Sequence, residues 1–456
     1  MGYGKKKSPI GGVLITVLVV VGALYVYFSS TFERNAPVVT LENNGFWNLK
    51  KPLNISIDDD SGVKMYKVTL RTADEEKSLE YEQLMTPEKS LNIEVKPPRG
   101  TYSLKDKSIE IIVEAQDSSK WNLLNGNITK KVFKLTVDKK KPQVSIVSNS
   151  YKISRGGSAL VIFKVSDENI EEMYIQGNSK KRFKPQPFYK EGYYISLLAW
   201  PVVDQSFKAT IIVKDSAGNV SKSYIPFYLK QKNYRVSKIK LSDRFLKGKI
   251  AELAEEFEET QGVSDSLEQF KIINEDVRAK NEKLIHEITS KVKEDEEISS
   301  FKMNKMYPLK NAQVVATFGD HRKYSYDGSK ISESYHLGLD LASNAMADIK
   351  PQNGGEVVYS DYNGLYGNMP IIHHGLGLYT LYGHCSSSQV SSGDETNRGV
   401  TIAKTGKSGY AMGDHLHFGV LVQGIEVRPQ EWMDAEWMKL NINNVIKSAK
   451  EIINRD

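Results

Sequence analysis

A single cysteine, Cys385, in 456 residues rules out an intramolecular disulfide and any metal site built on paired thiolates. Its neighbour His384 raises the idea of a catalytic thiol–imidazole pair. Adjacent residues on a strand point to opposite faces, however, so Cys385 reads as a small buried filler. Strong net charge is also missing. The formal balance is +6 and dispersed, which gives no footing for nucleic-acid binding. The many lysines do suit work near an anionic polymer or a membrane.

One long uncharged run is present, Ile10–Phe28, and no small-x-small cleavage site follows it at once. At the helical rise it measures about 28 Å, enough for a bilayer core. Lys5, Lys6 and Lys7 precede it, and Tyr25, Tyr27 and Phe28 close it. This favours an uncleaved single-pass anchor over the alternative, a cleaved signal peptide. Residues 1–9 then stay in the cytoplasm, 10–28 cross the cytoplasmic membrane, and the C-terminal bulk lies in the periplasm or cell-wall space.

From Pro37 to Lys232 the pattern is strand-like and repeats. Pro37-Val-Val-Thr-Leu returns as Pro142-Gln-Val-Ser-Ile, Met65-Tyr66 as Met173-Tyr174, and Ile111-Ile-Val as Ile211-Ile-Val. A spacing of about one hundred residues predicts one β-sandwich per copy. The turn Asp215-Ser-Ala-Gly-Asn resembles those of bacterial immunoglobulin-like repeats, so 36–139 and 141–232 are expected to be two such modules, acting as spacers or docking surfaces. The acidic triplet Asp58, Asp59, Asp60 lacks the ligand spacing of a calcium loop and reads as a solvated turn.

Between 235 and 306 the period becomes helical. Phe245, Leu246, Ile250, Leu253 and Phe257 line one helix, which Gly262 should end. Asp265 caps a second, with Glu268 in the capping-box position. Phe270, Ile273, Val277, Leu284 and Ile288 form its stripe. Such a hairpin either connects domains or packs over a functional groove, and the sequence leaves both open.

From Pro308 the chain turns Gly-rich, aromatic and strand-like. In Tyr410–Val420, His415, His417 and Gly419 share one strand face and Leu416, Phe418 and Val420 the other. In Tyr335–Leu341, His336, Gly338 and Asp340 oppose Leu337, Leu339 and Leu341. Either pattern alone is weak; together they offer imidazoles and a carboxylate, a catalytic zinc inventory that leaves a coordination position for water.

Those two rows, with Ala316-Thr-Phe-Gly-Asp-His-Arg322, Gly354-Gly-Glu-Val-Val358, Gly364-Leu-Tyr-Gly-Asn368, His374–His384 and Thr405-Gly-Lys-Ser-Gly409, resemble the lysostaphin-like (LytM-type) zinc endopeptidases, in order from about 308 to 432. The resemblance implies an antiparallel β-fold with a groove for one zinc per chain, and peptidoglycan peptides as substrate. It makes His336, Asp340 and His417 the zinc ligands, and His415 and His384 the non-ligand catalytic pair. Gly419 stands where the family often has an acidic residue, and the extra segment Lys323–Glu333 is placed to form a groove rim.

The expected protein is thus multidomain and mainly β: a transmembrane helix, two immunoglobulin-like modules, a helical hairpin, a peptidase domain at 307–435 and a C-terminal helix within 436–456. Its expected role is a membrane-anchored zinc endopeptidase of cell-wall remodelling. The alternative is a non-catalytic relative that binds the wall or activates another hydrolase. Partners are peptidoglycan peptides and the inner membrane, with no nucleic acid; any regulatory protein partner is unidentified by sequence.

Overall fold

The computed structural model describes residues 10–99, 106–178 and 180–455; Lys5–Lys7 lie outside them. Ile10–Phe28 forms an α-helix of 19 residues whose described side chains, from Gly12 onward, are mostly exposed. Among the described residues, no helix is long and apolar enough to cross a membrane. The expected transmembrane anchor therefore stands as a helix and is not supported as a span.

The chain divides into two compact units. The first comprises Met1–Pro142 with Asn169–Glu171 and Lys214–Val220 and is built on one six-stranded sheet. Leu53–Arg71 pairs antiparallel with Glu76–Val95, with Val38–Leu41 near its start, and with Ser108–Asp117 near its end. Period-two alternation buries Ile55, Ile57 and Val68 with Trp47, Ile111 and Val113. The expected acidic turn at Asp58–Gly62 is instead an irregularity inside that long strand, where the register slips between Asp58 and Val63. Because one strand continues through the bulge and serves both halves, the described strands join a single sheet, and an immunoglobulin-like sandwich is not shown.

The second unit holds Gln143–Glu168, Glu172–Val213 and Ser221–Asp456. Its first part includes a four-stranded sheet ordered Gln186–Pro187, Tyr193–Ala199, Ser158–Ser166, Gln143–Asn149. Its last part is an eight-stranded sheet whose centre runs Leu339–Ala342, Leu416–Val422, Leu378–Gly383, Asn368–His373, Gly355–Tyr362. Hydrogen bonds tie these parts together. Gln423 accepts from the Lys184 amide at 2.7 Å and donates to its carbonyl at 3.0 Å. Buried Glu431 accepts from the Ser158 amide at 3.0 Å. The C-terminal helix, Asn444–Ile453, buries Val445, Ile446, Ala449 and Ile453.

The helical pattern is realised as two stretches, 243–256 and 266–289, each with an internal π-helical turn. The first ends at Glu256, ahead of the expected stop at Gly262, because Phe257 is extended. Asp265 caps the second, its carboxylate accepting from the amides of Leu267 and Glu268 at 2.9 and 2.8 Å. The apolar stripe docks on the large sheet, except that Leu284, expected in it, is exposed and Ile285 is buried in its place. Leu246, Ile250, Phe270, Ile273, Val277 and Ile285 share one core with Met369, Ile371, Leu381 and Leu421. Ahead of the hairpin, Val236–Lys240 pairs in parallel with His321–Tyr326, which returns as Ser329–Tyr335. Asp327 and Gly328, both at positive φ, supply the two-residue turn that such a return needs.

Candidate functional site

A groove of about 540 Å³ runs between the hairpin and the large sheet, and His336, Asp340, His384, His415 and His417 all line it. Asp340 and His417 are placed by strand register. They stand directly opposite each other on Leu339–Ala342 and Leu416–Val422, with Gly383 of Leu378–Gly383 on the other side of His417. His336 arrives differently. Strand pairing stops at Tyr335 and resumes at Leu339, so the predicted alternating row is broken by a short irregular turn. Gly338 makes that turn workable, because a Cβ there would sit 2.4 Å from the His417 ring.

Three donor atoms converge. His336 Nε2 lies 2.9 Å from Asp340 Oδ1 and 3.1 Å from His417 Nδ1, and His417 Nδ1 lies 2.9 Å from Asp340 Oδ1. His336 Nδ1 is 3.0 Å from the Thr317 carbonyl. A carbonyl only accepts, so Nδ1 carries the proton and Nε2 presents its lone pair. That lone pair faces a carboxylate oxygen, an arrangement that is repulsive without a cation between them. Two imidazoles and one carboxylate therefore fit a divalent metal, and this donor set suits zinc with a position left open. Burial by itself would raise the Asp340 carboxyl. Against that, the close approach of the His336 and His417 rings holds it well below the usual carboxylate range. Burial lowers His417, which keeps it neutral.

His384 and His415 form a second pair beside the first, their rings 4.8 Å apart. Each donates Nδ1–H to a backbone carbonyl, Ser408 and Gly413 respectively, both at 2.8 Å. Both Nε2 atoms are thereby left clear of the backbone, and that of His415 lies 3.8 Å from Asp340 Oδ2. Burial, then the neighbouring His417 and His415, push His384 down to about 3, so it is a neutral base.

The remaining histidines do other things. Burial pushes His373 and His374 down to about 4. His373 stacks on Tyr379, and His374 bonds the Gly354 carbonyl and the Thr380 hydroxyl at 2.7 Å each. His286 bonds Glu426 at 2.8 Å, and His321 stacks on Tyr335. Cys385 is fully buried and its thiol is pushed up to about 12. It is a filler, as the sequence implies.

Sequence reasoning missed the opposite wall. Phe245 and Arg278 of the hairpin line the groove, as do Arg322, Tyr324 and Tyr335 from the neighbouring strands. Tyr366 sets its ring edge against His417, centroids 5.4 Å apart. The hairpin is anchored here by Asn281, whose side chain accepts from the Leu365 amide at 2.8 Å. No spacing rule finds Arg278, because its place depends on how the hairpin docks. The rim expected at Lys323–Glu333 does contribute Tyr324.

Residues 334–429 match the family described as Peptidase family M23, so the chain carries a LytM-type domain of that family. Among curated proteins, the chain is 32% identical over 132 residues to the peptidoglycan DD-endopeptidase ShyB of Vibrio cholerae, covering 28% of this chain and 30% of ShyB. It is also 32% identical over 96 residues to the murein hydrolase activator EnvC of Escherichia coli, covering 21% of this chain and 23% of EnvC. The chain thus spans less than a third of the length of these relatives. A zinc-containing peptidase structure from Vibrio cholerae aligns with 77% of this chain and 87% of its own, at 14% identity and a TM-score of 0.28. That likeness is too loose to carry an inference.

Proposed function

We propose that this chain, with its peptidase family M23 domain at residues 334–429, is a membrane-anchored zinc endopeptidase that hydrolyses peptide bonds of bacterial peptidoglycan. The observation that carries the reading is the completeness of the site. Three metal donors and two further imidazoles face one groove.

His336, Asp340 and His417 would hold the zinc, which when bound polarises a scissile carbonyl and acidifies water. The chain's own residues do the rest. A peptide lies along the groove between the hairpin wall and the sheet. His415 or His384, each with Nδ1 held by a backbone carbonyl, takes the proton from the attacking water and returns it to the leaving amine. The other imidazole, 4.8 Å away by ring centroid, is placed to steady the developing oxyanion.

The EnvC likeness favours a second reading, a non-catalytic activator of another hydrolase. One experiment separates the two: incubate the purified protein with isolated peptidoglycan and identify products by mass spectrometry. The endopeptidase reading expects new peptide termini and about one zinc per chain. It also expects His336→Ala or Asp340→Ala to abolish both metal and hydrolysis. A zinc-loaded protein that leaves the wall intact would make it an activator. Anchoring rests on the apolar helix Ile10–Phe28 and the lysines before it. It predicts that the protein stays in the membrane pellet after alkaline carbonate extraction; release into the supernatant would remove the anchor.

A further inference from the structure

The groove's charge is distributed in a way that the metal chemistry does not use. Of its lining carboxylates, Asp340 belongs to the metal set and Asp414 accepts from the Met346 amide at 3.1 Å. Its cations, Lys240, Arg278 and Arg322, all precede the family-matched segment at 334–429. Lys240 belongs to the strand before the hairpin, Arg278 to the hairpin's second helix and Arg322 to the strand His321–Tyr326.

Each guanidinium has one carboxylate within 4 Å, and neither holds it at hydrogen-bond distance. Arg278 donates from Nε to the Asn274 carbonyl at 3.2 Å and from Nη2 to the Asn274 side-chain oxygen at 3.1 Å. Its ion contact, with Glu282, is 3.9 Å long. Arg322 lies 3.7 Å from Asp320, whose two oxygens already accept from the Ser237 hydroxyl at 2.9 and 2.8 Å. Among the described residues, then, neither arginine has a carboxylate at hydrogen-bond distance. Both side chains are about one-fifth to one-quarter exposed, 19% and 26%, which leaves them open to a ligand in the groove. They also act on one phenol: burial and Tyr324 push Tyr410 up, while Arg278 and Arg322 both pull it down.

We propose that Arg278 and Arg322 form a carboxylate subsite on the hairpin side of the groove, selecting peptides that carry a free carboxylate close to the cleaved bond. The guanidinium is the side chain best matched to that group, offering paired N–H donors in a plane. The inference rests on reading the groove as a peptide site, and it narrows the substrate to anionic peptides. Stem peptides carry a carboxylate at the C-terminus and on side chains, and the subsite chemistry is the same for both.

Three fluorescein-labelled stem tetrapeptides test it: the free acid, the C-terminal amide and the side-chain amide. Affinity is read by fluorescence anisotropy on the full chain carrying His384→Ala, and turnover on the unmutated chain. One of the two amidations should weaken binding about tenfold, ~1.4 kcal/mol, and raise KM with little change in kcat. Which amidation does so identifies the carboxylate. Arg278→Gln and Arg322→Gln, on separate elements, should each shrink that difference. Equal binding of all three peptides, or an unchanged difference in both variants, overturns the subsite. Selective binding by a chain that leaves isolated peptidoglycan intact sinks the endopeptidase reading and leaves the subsite standing; hydrolysis of peptidoglycan without selectivity among the three peptides does the reverse.

Discussion

His384 and His415 differ from the three metal donors in what holds them. Their Nδ1 protons go to backbone carbonyls, and their Nε2 atoms lie outside the convergent donor triangle of His336, Asp340 and His417. His384→Ala and His415→Ala should therefore keep zinc while losing about 10²–10⁴ in turnover, the range of general acid–base catalysis. Metal analysis beside kinetics checks this. Loss of zinc from His415→Ala, with zinc retained in His417→Ala, would mean that ligand and base are exchanged. Gly338 has an equally local role. Because a Cβ would press on the His417 ring, Gly338→Ala should weaken zinc binding with only a small change in Tm. Competition against a chelator measures the first and calorimetry the second.

At the level of elements, the hairpin decides how the groove is bounded. A detachable cover over an active site would meet its partner through a thin polar contact. This hairpin instead shares a hydrophobic core with the sheet, and each fully buried Leu, Ile or Phe in it contributes ~1.5–3 kcal/mol. A hairpin or a β-sandwich module that merely covered the groove and restrained it would leave a chain starting near Tyr307 folded and more active. The packing predicts another outcome. Such a fragment would expose Met369, Ile371, Leu381 and Leu421 and lose the strand Val236–Lys240 that pairs with His321–Tyr326. It should aggregate or show a non-cooperative melt, whereas a fragment starting near Gln143 should melt cooperatively. A soluble, more active fragment from Tyr307 would restore the restraint.

Across the second unit, buried carboxyls record how tightly the C-terminal segment is held. Burial raises Glu431 from 4.5 to about 7. Between those values the folded chain keeps a proton that the unfolded chain has lost, so stability falls as pH rises through the interval. Below the unfolded value this penalty is absent; above about 7 it is present in full, on the order of a few kcal/mol. Glu431→Gln retains an acceptor for the Ser158 amide and removes the titration. Its Tm should match that of the unmutated chain near pH 4 and exceed it increasingly up to pH 8. A constant gap across that range would show that Glu431 is not the group responsible.

What the sequence determined by itself was whatever period and residue type encode locally. Asp340 and His417 were legible because strand alternation marks them, and His336, His384 and His415 because they stand in motifs that resemble a known family. The Asp265 cap and the apolar stripe of the hairpin were legible because helix ends and faces are written in neighbouring residues. What only the tertiary structure decided was where those elements meet. Arg278 entered the groove through the docking of one helix on one sheet, and Tyr366 through the turn Gly364–Tyr366 that sets its ring against His417. The break between Tyr335 and Leu339 followed from His336 having to reach Asp340 and His417 together. The bulge that carried Leu53–Arg71 through both halves of its sheet depended on two partner strands. Each of these is set by contacts between residues distant in the chain, and periodicity carries no record of such contacts.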